Sequence, residues 1–468
     1  MSTTPQRLQQ LEHCGEIGQW AVEYILQLTL ENVRLKSQLE QAQAQIQQQD
    51  AQLEELQRQA HRQAAPFRRP ESQRNPHPGP PGRKAGHVGF YRPKPLQVDE
   101  QIRVNLDGCP RCQGPVLDKR SLTQYIEEIP AVRPRVTELI TEEGWCEHCQ
   151  CQVCSTHPLQ VGRARGAAAV QLGPRALALA CDLNKAKGLS MRKTVAVLAD
   201  HFGLKLTPGA LALLLQRVAR KVQPEYQQMA VQLRQSAVVH ADETSWWVSG
   251  PGWWLWVFAT PVMTFYVVIQ SRGGAVAMEV MGKDFAGVLV SDCLAIYDDL
   301  NPLQQKCYSH HLKAVSEACR AHPQQGEGYL LQVQAFLRTA LWLKALQSEA
   351  ESQRFELCLA RLRSYAHILL DSPRAQAQEE KVRMRLWKQR DHLFTFLERA
   401  EVPATNNLAE RQLRPAVIAR KLSCGNKTSK GTQAWQVLTS IAATCRQKAV
   451  SFIEFVAERI PLQPARGP

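Results

Sequence analysis

The stretch Ala237-Val238-Val239-His240-Ala241-Asp242-Glu243-Thr244 is a β-branched apolar run that ends on acids. Such a run reads as a buried strand. Working outward, Trp254 to Ala259 and Thr264 to Gln270 read as the next two strands, joined by a turn at Thr260-Pro261. Gly273 to Gly282 reads as a helix, Gly287 to Ser291 as a fourth strand, and Lys306-Cys307-Tyr308 as a fifth. The almost continuous apolar stretch from Trp253 to Ile269 is short for a membrane span and is interrupted by Thr260 and Pro261, so two buried strands are expected there rather than a span.

Three antiparallel strands followed by alternating helix and strand is the order of a ribonuclease-H-like catalytic core, expected over residues 236–320. It puts Asp242 on the first strand and Asp292, in Val288-Leu289-Val290-Ser291-Asp292, at the end of the neighbouring fourth. A third acid, Glu410, sits in Thr405-Asn406-Asn407-Leu408-Ala409-Glu410-Arg411, which reads as the first turns of a helix capped by Asn406 or Thr405. Singly, such acids cap helices or turn chains. Together they are what a two-metal phosphoryl-transfer site needs, since Mg²⁺ or Mn²⁺ takes oxygen ligands and a pair of ions clamps the attacking and leaving oxygens. Glu243 competes with Asp242 for the first role, and Asp298 and Asp299 with Asp292 for the second.

Between Asp292 and Glu410 lies too much chain for one connection. Tyr329 to Leu346, Glu351 to Leu370 and Ala377 to Arg399 read as helices of an insertion over residues 325–400. The C-terminal catalytic helices are expected over 403–460. Pro415 should kink or end the first of them. Arg411, Arg414, Arg420 and Lys421 follow Glu410 closely and are candidate phosphate contacts. The five tryptophans from Trp246 to Trp256 read as core and sheet surface rather than a base-stacking platform.

The N-terminal part divides into four. Over residues 6–60, Ile25, Asn32, Leu39, Ile46 and Leu53 recur every seven residues, and Leu28, Leu35, Ala42, Gln49 and Leu56 form a second seam. This is a coiled-coil a/d pattern, with Asn32 where a lone Asn fixes register and a two-stranded state. The other reading is a long helix packed on its own body. Residues 64–98 form a basic Pro/Gly-rich linker that includes Arg83 and Lys84, either a plain spacer or an arm tracking DNA. Residues 100–160 hold three Cys-x-x-Cys knuckles, at Cys109/Cys112, Cys146/Cys149 and Cys151/Cys154. With β-like stretches at Gln124 to Ile129 and Val136 to Ile140, they read as a zinc ribbon. Cys109, Cys112, Cys146 and Cys149 are the first choice for Zn²⁺, with Cys151, Cys154, His148 and His157 as substitutes. Residues 165–235 read as helical. Met191 to Phe202 (with Arg192 and Lys193 in its first turn) and the helix opened by Thr207-Pro208 are either a helix-turn-helix that reads DNA or a core helix hairpin.

The formal net charge of +14 suits a polyanionic partner, and the 14 cysteines suit thiols and metal ligands in a reducing compartment more than disulfides. The fold class expected is thus multidomain α+β: coiled coil, zinc ribbon and helical DNA-binding region ahead of a ribonuclease-H-like core with a helical insertion.

On His240-Ala241-Asp242-Glu243-Thr244, on Asp292 followed by Ile296-Tyr297-Asp298, and on Asn406 to Pro415, the chain resembles bacterial insertion-sequence transposases of the Asp-Asp-Glu class, in detail the family numbered sixty-six. That family's Cys-Trp-Ala-His-x-Arg motif stands here as Cys307-Tyr308-Ser309-His310-His311-Leu312, keeping Cys307 and His310. The resemblance implies an enzyme with Asp242, Asp292 and Glu410 as catalytic metal ligands and His310 as a possible accessory residue. Its partner is double-stranded DNA, as terminal inverted repeats and as target. It also implies a homodimer or larger assembly, small accessory proteins, and a cytoplasmic, nucleoid-associated location. Water would attack the phosphodiester at the element's end, and the released 3′-hydroxyl would attack the target. The competing readings are a catalytically decayed DNA-binding regulator or architectural protein, and a nuclease or resolvase without strand transfer.

Overall fold

The computed structural model describes residues 19–61, 86–89, 92–162, 170–298, 300–301, 303–321, 328–348 and 352–462. It divides into two units, Met1–Tyr125 and Ile126–Pro468.

In the first unit, helix α1 spans Gln19–His61. Leu28, Leu35, Leu39 and Ile46, all on the heptad seams, are exposed. Most of the expected linker, including Arg83 and Lys84, lies outside the described residues. Cys109 and Cys112 sit on a tight turn closed by Gln113 N–H to Cys109 O at 2.8 Å and Cys109 N–H to Gly114 O at 2.9 Å.

The second unit opens with a two-stranded antiparallel hairpin, β1 (Glu143–Cys146) and β2 (Cys151–Cys154), in which Cys146 faces Cys151. The hairpin is therefore built from the second and third knuckles. The stretches Gln124–Ile129 and Val136–Ile140 form no strand, correcting the expectation; Ile126, Ile129, Val136 and Ile140 are exposed, so their apolar alternation has no sheet to face.

Helices α2 (Pro174–Cys181), α3 (Met191–Phe202), α4 (Pro208–Lys221) and α5 (Gln223–Arg234) follow, with a π-helical turn at Asp182–Ala186. The local signals act as read: Ser190 Oγ accepts from Lys193 N–H, Gly203 closes α3 in the left-handed region, and Thr207 Oγ1 caps α4 ahead of Pro208. Leu198 of α3 and Leu211, Leu214 and Leu215 of α4 are buried in the main core. Both helices thus lend one face to the core, and Arg192 and Lys193 are exposed on α3.

The central sheet has five strands: β3 (Val238–Trp246), β4 (Trp253–Thr260), β5 (Met263–Ile269), β6 (Val288–Ser291) and β7 (Gln304–Lys306). Their spatial order is β5-β4-β3-β6-β7, with β3, β4 and β5 antiparallel and β6 and β7 parallel to β3 and to each other. Helix α6 (Ala275–Met281) makes the crossover from β5. The fifth strand lies two residues before the predicted one, because Tyr308 already starts helix α7 (Tyr308–Ala321). The Trp253–Ile269 stretch is indeed a strand pair, and among the described residues no helix is long and apolar enough to cross a membrane.

The insertion comprises α8 (Tyr329–Ala345), α9 (Ser352–Asp371), α10 (Ala377–Lys388) and a short α11 (Thr395–Glu398). The third helix stops eleven residues short of the predicted Arg399, and a 3₁₀ turn at Arg390–His392 leads into α11. These helices and α7 bury a second core against Val288 and Val290 of β6. Helix α12 (Asn407–Ser423) runs on through Pro415, so of the kink or end expected there it does not end. Its anchoring does not depend on the hydrogen bond the proline cannot donate: Ala409, Leu413 and Ala416 pack on Leu255, Val257 and Tyr266 of the sheet. Helices α13 (Ser429–Gln447) and α14 (Phe452–Arg459) complete the unit.

Candidate functional site

β3 and β6 run parallel in register, His240 beside Val290, so two residues on Asp242 and Asp292 stand at the same level on neighbouring strands. Strands in a sheet lie about 4.8 Å apart. Asp242 shares the side of β3 that bears His240, since alternate residues point the same way. Helix α12 packs on that side, where its Asn406 meets His240, and carries Glu410 in its first turn, near enough for its charge to act on Asp242.

Asp242 feels the charge of its acidic neighbours. Burial, then Glu243, Asp292 and Glu410, together push the Asp242 carboxyl up to about 7. Asp242 Oδ1 accepts the N–H of Glu243 at 2.9 Å, and Asp292 Oδ1 accepts that of Leu294 at 3.0 Å.

The competing acids are accounted for. Glu243 points to the opposite side of β3, where Tyr297 donates to its Oε2 at 2.6 Å and Arg272 to its Oε1 at 3.1 and 3.2 Å. Arg272 lies in turn over the Trp254 ring, 4.4 Å from its centroid. Asp298 pairs with the buried Lys306 at 3.1 Å and accepts from Gln389 at 2.8 Å. Asp299 lies outside the described residues. Sequence reasoning named Tyr297 only within a motif and Lys306 only within a strand, gave neither a role and did not name Arg272; their signal is spatial, a basic or phenolic group brought to an acid by the fold.

Asn406 does not cap α12 with its side chain, as the sequence had suggested. Its amide nitrogen donates to Ala241 O at 2.8 Å and its oxygen faces His240 Nδ1 at 3.1 Å. Its backbone N–H reaches Cys307 Sγ at 3.2 Å. Cys307 follows β7 and His310 lies in the first turn of α7, with His310 Nδ1 4.0 Å from Glu410 Oε1. Burial opposes ionisation of the Cys307 thiol, but His310 and the N–H groups of Asn406 and His310 outweigh it and lower its pKa. Cys307 is likewise the main cause that raises the pKa of His310, against burial, with Asp292 and Glu410 adding to it. Cys307, His310 and Glu410 form a group with metal-ligand spacing.

Among the candidate phosphate contacts, Arg411, Arg414 and Lys421 are exposed on α12. Arg420 instead donates to Thr244 Oγ1 at 3.1 Å and Ser245 Oγ at 2.8 Å, bracing the helix on β3. Arg192 and Lys193 stand exposed on α3. Backbone N–H of Arg111 and then of Cys112 lower the Cys109 pKa, and the N–H and thiol of Cys149 do the same for Cys146.

A family model described as "Transposase IS66 family" matches residues 169–434, more than half the chain and all three acids. Among curated proteins, the uncharacterized protein y4jO of Sinorhizobium fredii is 26% identical over 181 residues, 37% of this chain and 54% of that one. The uncharacterized protein y4qI of the same organism is 23% identical over 256 residues, 47% of each chain. The chain spans about half the length of these relatives.

Proposed function

Because the chain belongs to the IS66 family of transposases, we propose that it cuts DNA at the ends of an insertion sequence and joins those ends to a target, with Asp242, Asp292 and Glu410 as the catalytic acids. The observation that supports this reading is the buried Asp242 carboxyl, raised to about 7 by burial and by the charges of Glu243, Asp292 and Glu410. A site with that much uncompensated charge calls for cations, and oxygen donors alone fit Mg²⁺ or Mn²⁺. When bound, such ions supply charge neutralisation and Lewis acidity to the phosphodiester. The 3-2-1-4-5 strand order supports assignment to the ribonuclease-H-like fold, in which the two aspartates take these positions.

Each step is an in-line displacement at phosphorus. In the first, a water oxygen bonds to phosphorus and the 3′ oxygen of the element's end leaves with a proton. In the second, that 3′-hydroxyl attacks a target phosphodiester and displaces its 3′ oxygen, so no covalent enzyme intermediate is required. Glu410 completes the ligand set from α12, and the exposed Arg411 and Arg414 on the same helix are placed to take backbone phosphates. The knuckle thiols Cys109, Cys112, Cys146 and Cys149 are the proposed zinc ligands, and a second copy of the chain is the proposed partner of α1.

The test is cleavage and joining of a duplex carrying the element's terminal repeats, with Mg²⁺, by wild type and by Asp292→Asn. The expected result is loss of both reactions in the variant with DNA binding retained. Tight binding without cleavage by either protein would instead support a DNA-binding regulator, and cleavage without joining a nuclease.

A further inference from the structure

Phosphoryl transfer on hard cations has no use for a thiol, yet Cys307 stands in the candidate site. It is fully buried. Its N–H to Ser291 O, at 2.9 Å, continues the register of β7 beside β6, and its sulfur accepts the N–H of Asn406 at 3.2 Å. His310 is three residues on at the start of α7, so the two side chains share a face. One ligand atom each from Cys307, His310 and Glu410 lie within 4.8 Å of one another. His310 Nδ1 stands 4.0 Å from Glu410 Oε1, beyond direct hydrogen-bond reach.

Sulfur, nitrogen and oxygen donors from three side chains make a set that zinc takes, with a fourth position open. Magnesium does not favour a thiolate. We infer that Cys307, His310 and Glu410 form a zinc site that overlaps the catalytic one, so that Zn²⁺ competes with the catalytic cation for Glu410. The regulatory consequence rests on the function proposed above; the zinc site itself does not. Zinc held there draws Glu410 away from Asp242 and Asp292, and the enzyme stops until the zinc is removed.

The experiment uses the full chain in two measurements. The first is zinc content after dialysis against buffered Zn²⁺, for wild type, Cys307→Ser and His310→Gln, each checked for folding by circular dichroism. Expected is one equivalent fewer in both variants, with the knuckle zinc kept. The second is Mg²⁺-dependent cleavage at graded Zn²⁺, each protein normalised to its own zinc-free rate. Wild type should be inhibited, chelator should reverse it, and more Mg²⁺ should raise the Zn²⁺ required. Cys307→Ser should need more than about tenfold more Zn²⁺, since even outer-shell changes cost about 10–100-fold in metal affinity. Equal zinc content in all three proteins overturns the site. Equal content with no cleavage by any protein overturns both the site and the parent reading, whereas a lost equivalent without cleavage leaves the site standing and removes only the parent. Wild-type cleavage indifferent to Zn²⁺ overturns the competition.

Discussion

The fully buried side chain of Asn406 spans from α12 to β3, donating to Ala241 O at 2.8 Å and accepting from His240 Nδ1 at 3.1 Å. Because the amide nitrogen is committed to the carbonyl, the oxygen faces the imidazole, and Nδ1 must carry the proton. Burial keeps that ring neutral, lowering its pKa to about 4 despite Asn406. Asn406→Ala strands one buried donor and one buried acceptor at a cost of about 1–3 kcal/mol each. We therefore expect a stability loss of about 2–6 kcal/mol in urea unfolding, and a loss of cleavage that persists where the variant is still folded, because the start of the helix that carries Glu410 is no longer tied to β3. A variant with wild-type cleavage would show that Asn406 is only structural. The imidazole also sets a pH response. With a folded pKa below the unfolded value, the unfolded chain takes up the proton first, so stability is full above the unfolded pKa of about 6.5 and falls towards about 4. The loss reaches about 3 kcal/mol at the lower end, at 1.36 kcal/mol per pH unit. His240→Gln should flatten the wild-type slope between about pH 7 and pH 5 in urea titrations; an unchanged slope would assign the acid sensitivity elsewhere. Little of this was legible in the sequence. An Asn ahead of a helix reads as a cap, and its true partners lie 165 and 166 residues away.

At the scale of elements, legibility followed burial chemistry. β3, β4, β5 and β6 are β-branched or aromatic runs with clear turn residues between them, and each fell within two residues of its predicted bounds. β7 was misplaced because Gln304, Gln305 and Lys306 are polar yet fully buried. They are tolerated there because Gln304 donates to Asn301 O at 2.7 Å, Gln305 accepts from Phe396 N–H at 2.9 Å and Lys306 pairs with Asp298. An apolar pattern cannot announce such a strand. The loop after α12 carries a comparable constraint. Gly425 has φ +93°, and a Cβ there would lie 2.4 Å from Trp247 O. Its neighbour Asn426 accepts from Trp246 Nε1 at 2.9 Å and bridges to Val248, tying the end of α12 to the tip of the β3–β4 hairpin. Gly425→Ala should cost about 1–3 kcal/mol from backbone strain alone, with the overlap adding to it. Urea unfolding measures it, and a change within about 0.5 kcal/mol, the range of an ordinary surface substitution, would mean that the loop relaxes freely.

At the scale of the molecule, the reading asks one protein to hold two DNA ends at once, and the catalytic acids cannot do that alone. Helix α1 is 43 residues long and carries Leu28, Leu35, Leu39 and Ile46 exposed on seams spaced by heptads. Such a stripe in water is stabilised by a second helix, and Asn32, exposed at its a position, favours a parallel pair in one register. The heptads were legible because they are a local repeat, whereas the insertion's inner boundaries were not, since the break after Lys388 rests on contacts made with distant chain. If α1 joins two copies, Leu35→Glu with Leu39→Glu should halve the mass seen by sedimentation equilibrium while the circular dichroism of the remaining body and binding to a single DNA end persist. Joining of two ends in one complex should fall with the dimer, and an excess of protein should restore it only weakly, because mass action has lost the tether. Equal masses for the two proteins would mean that α1 does not join copies of this chain, and that the pairing of ends must be sought on another surface.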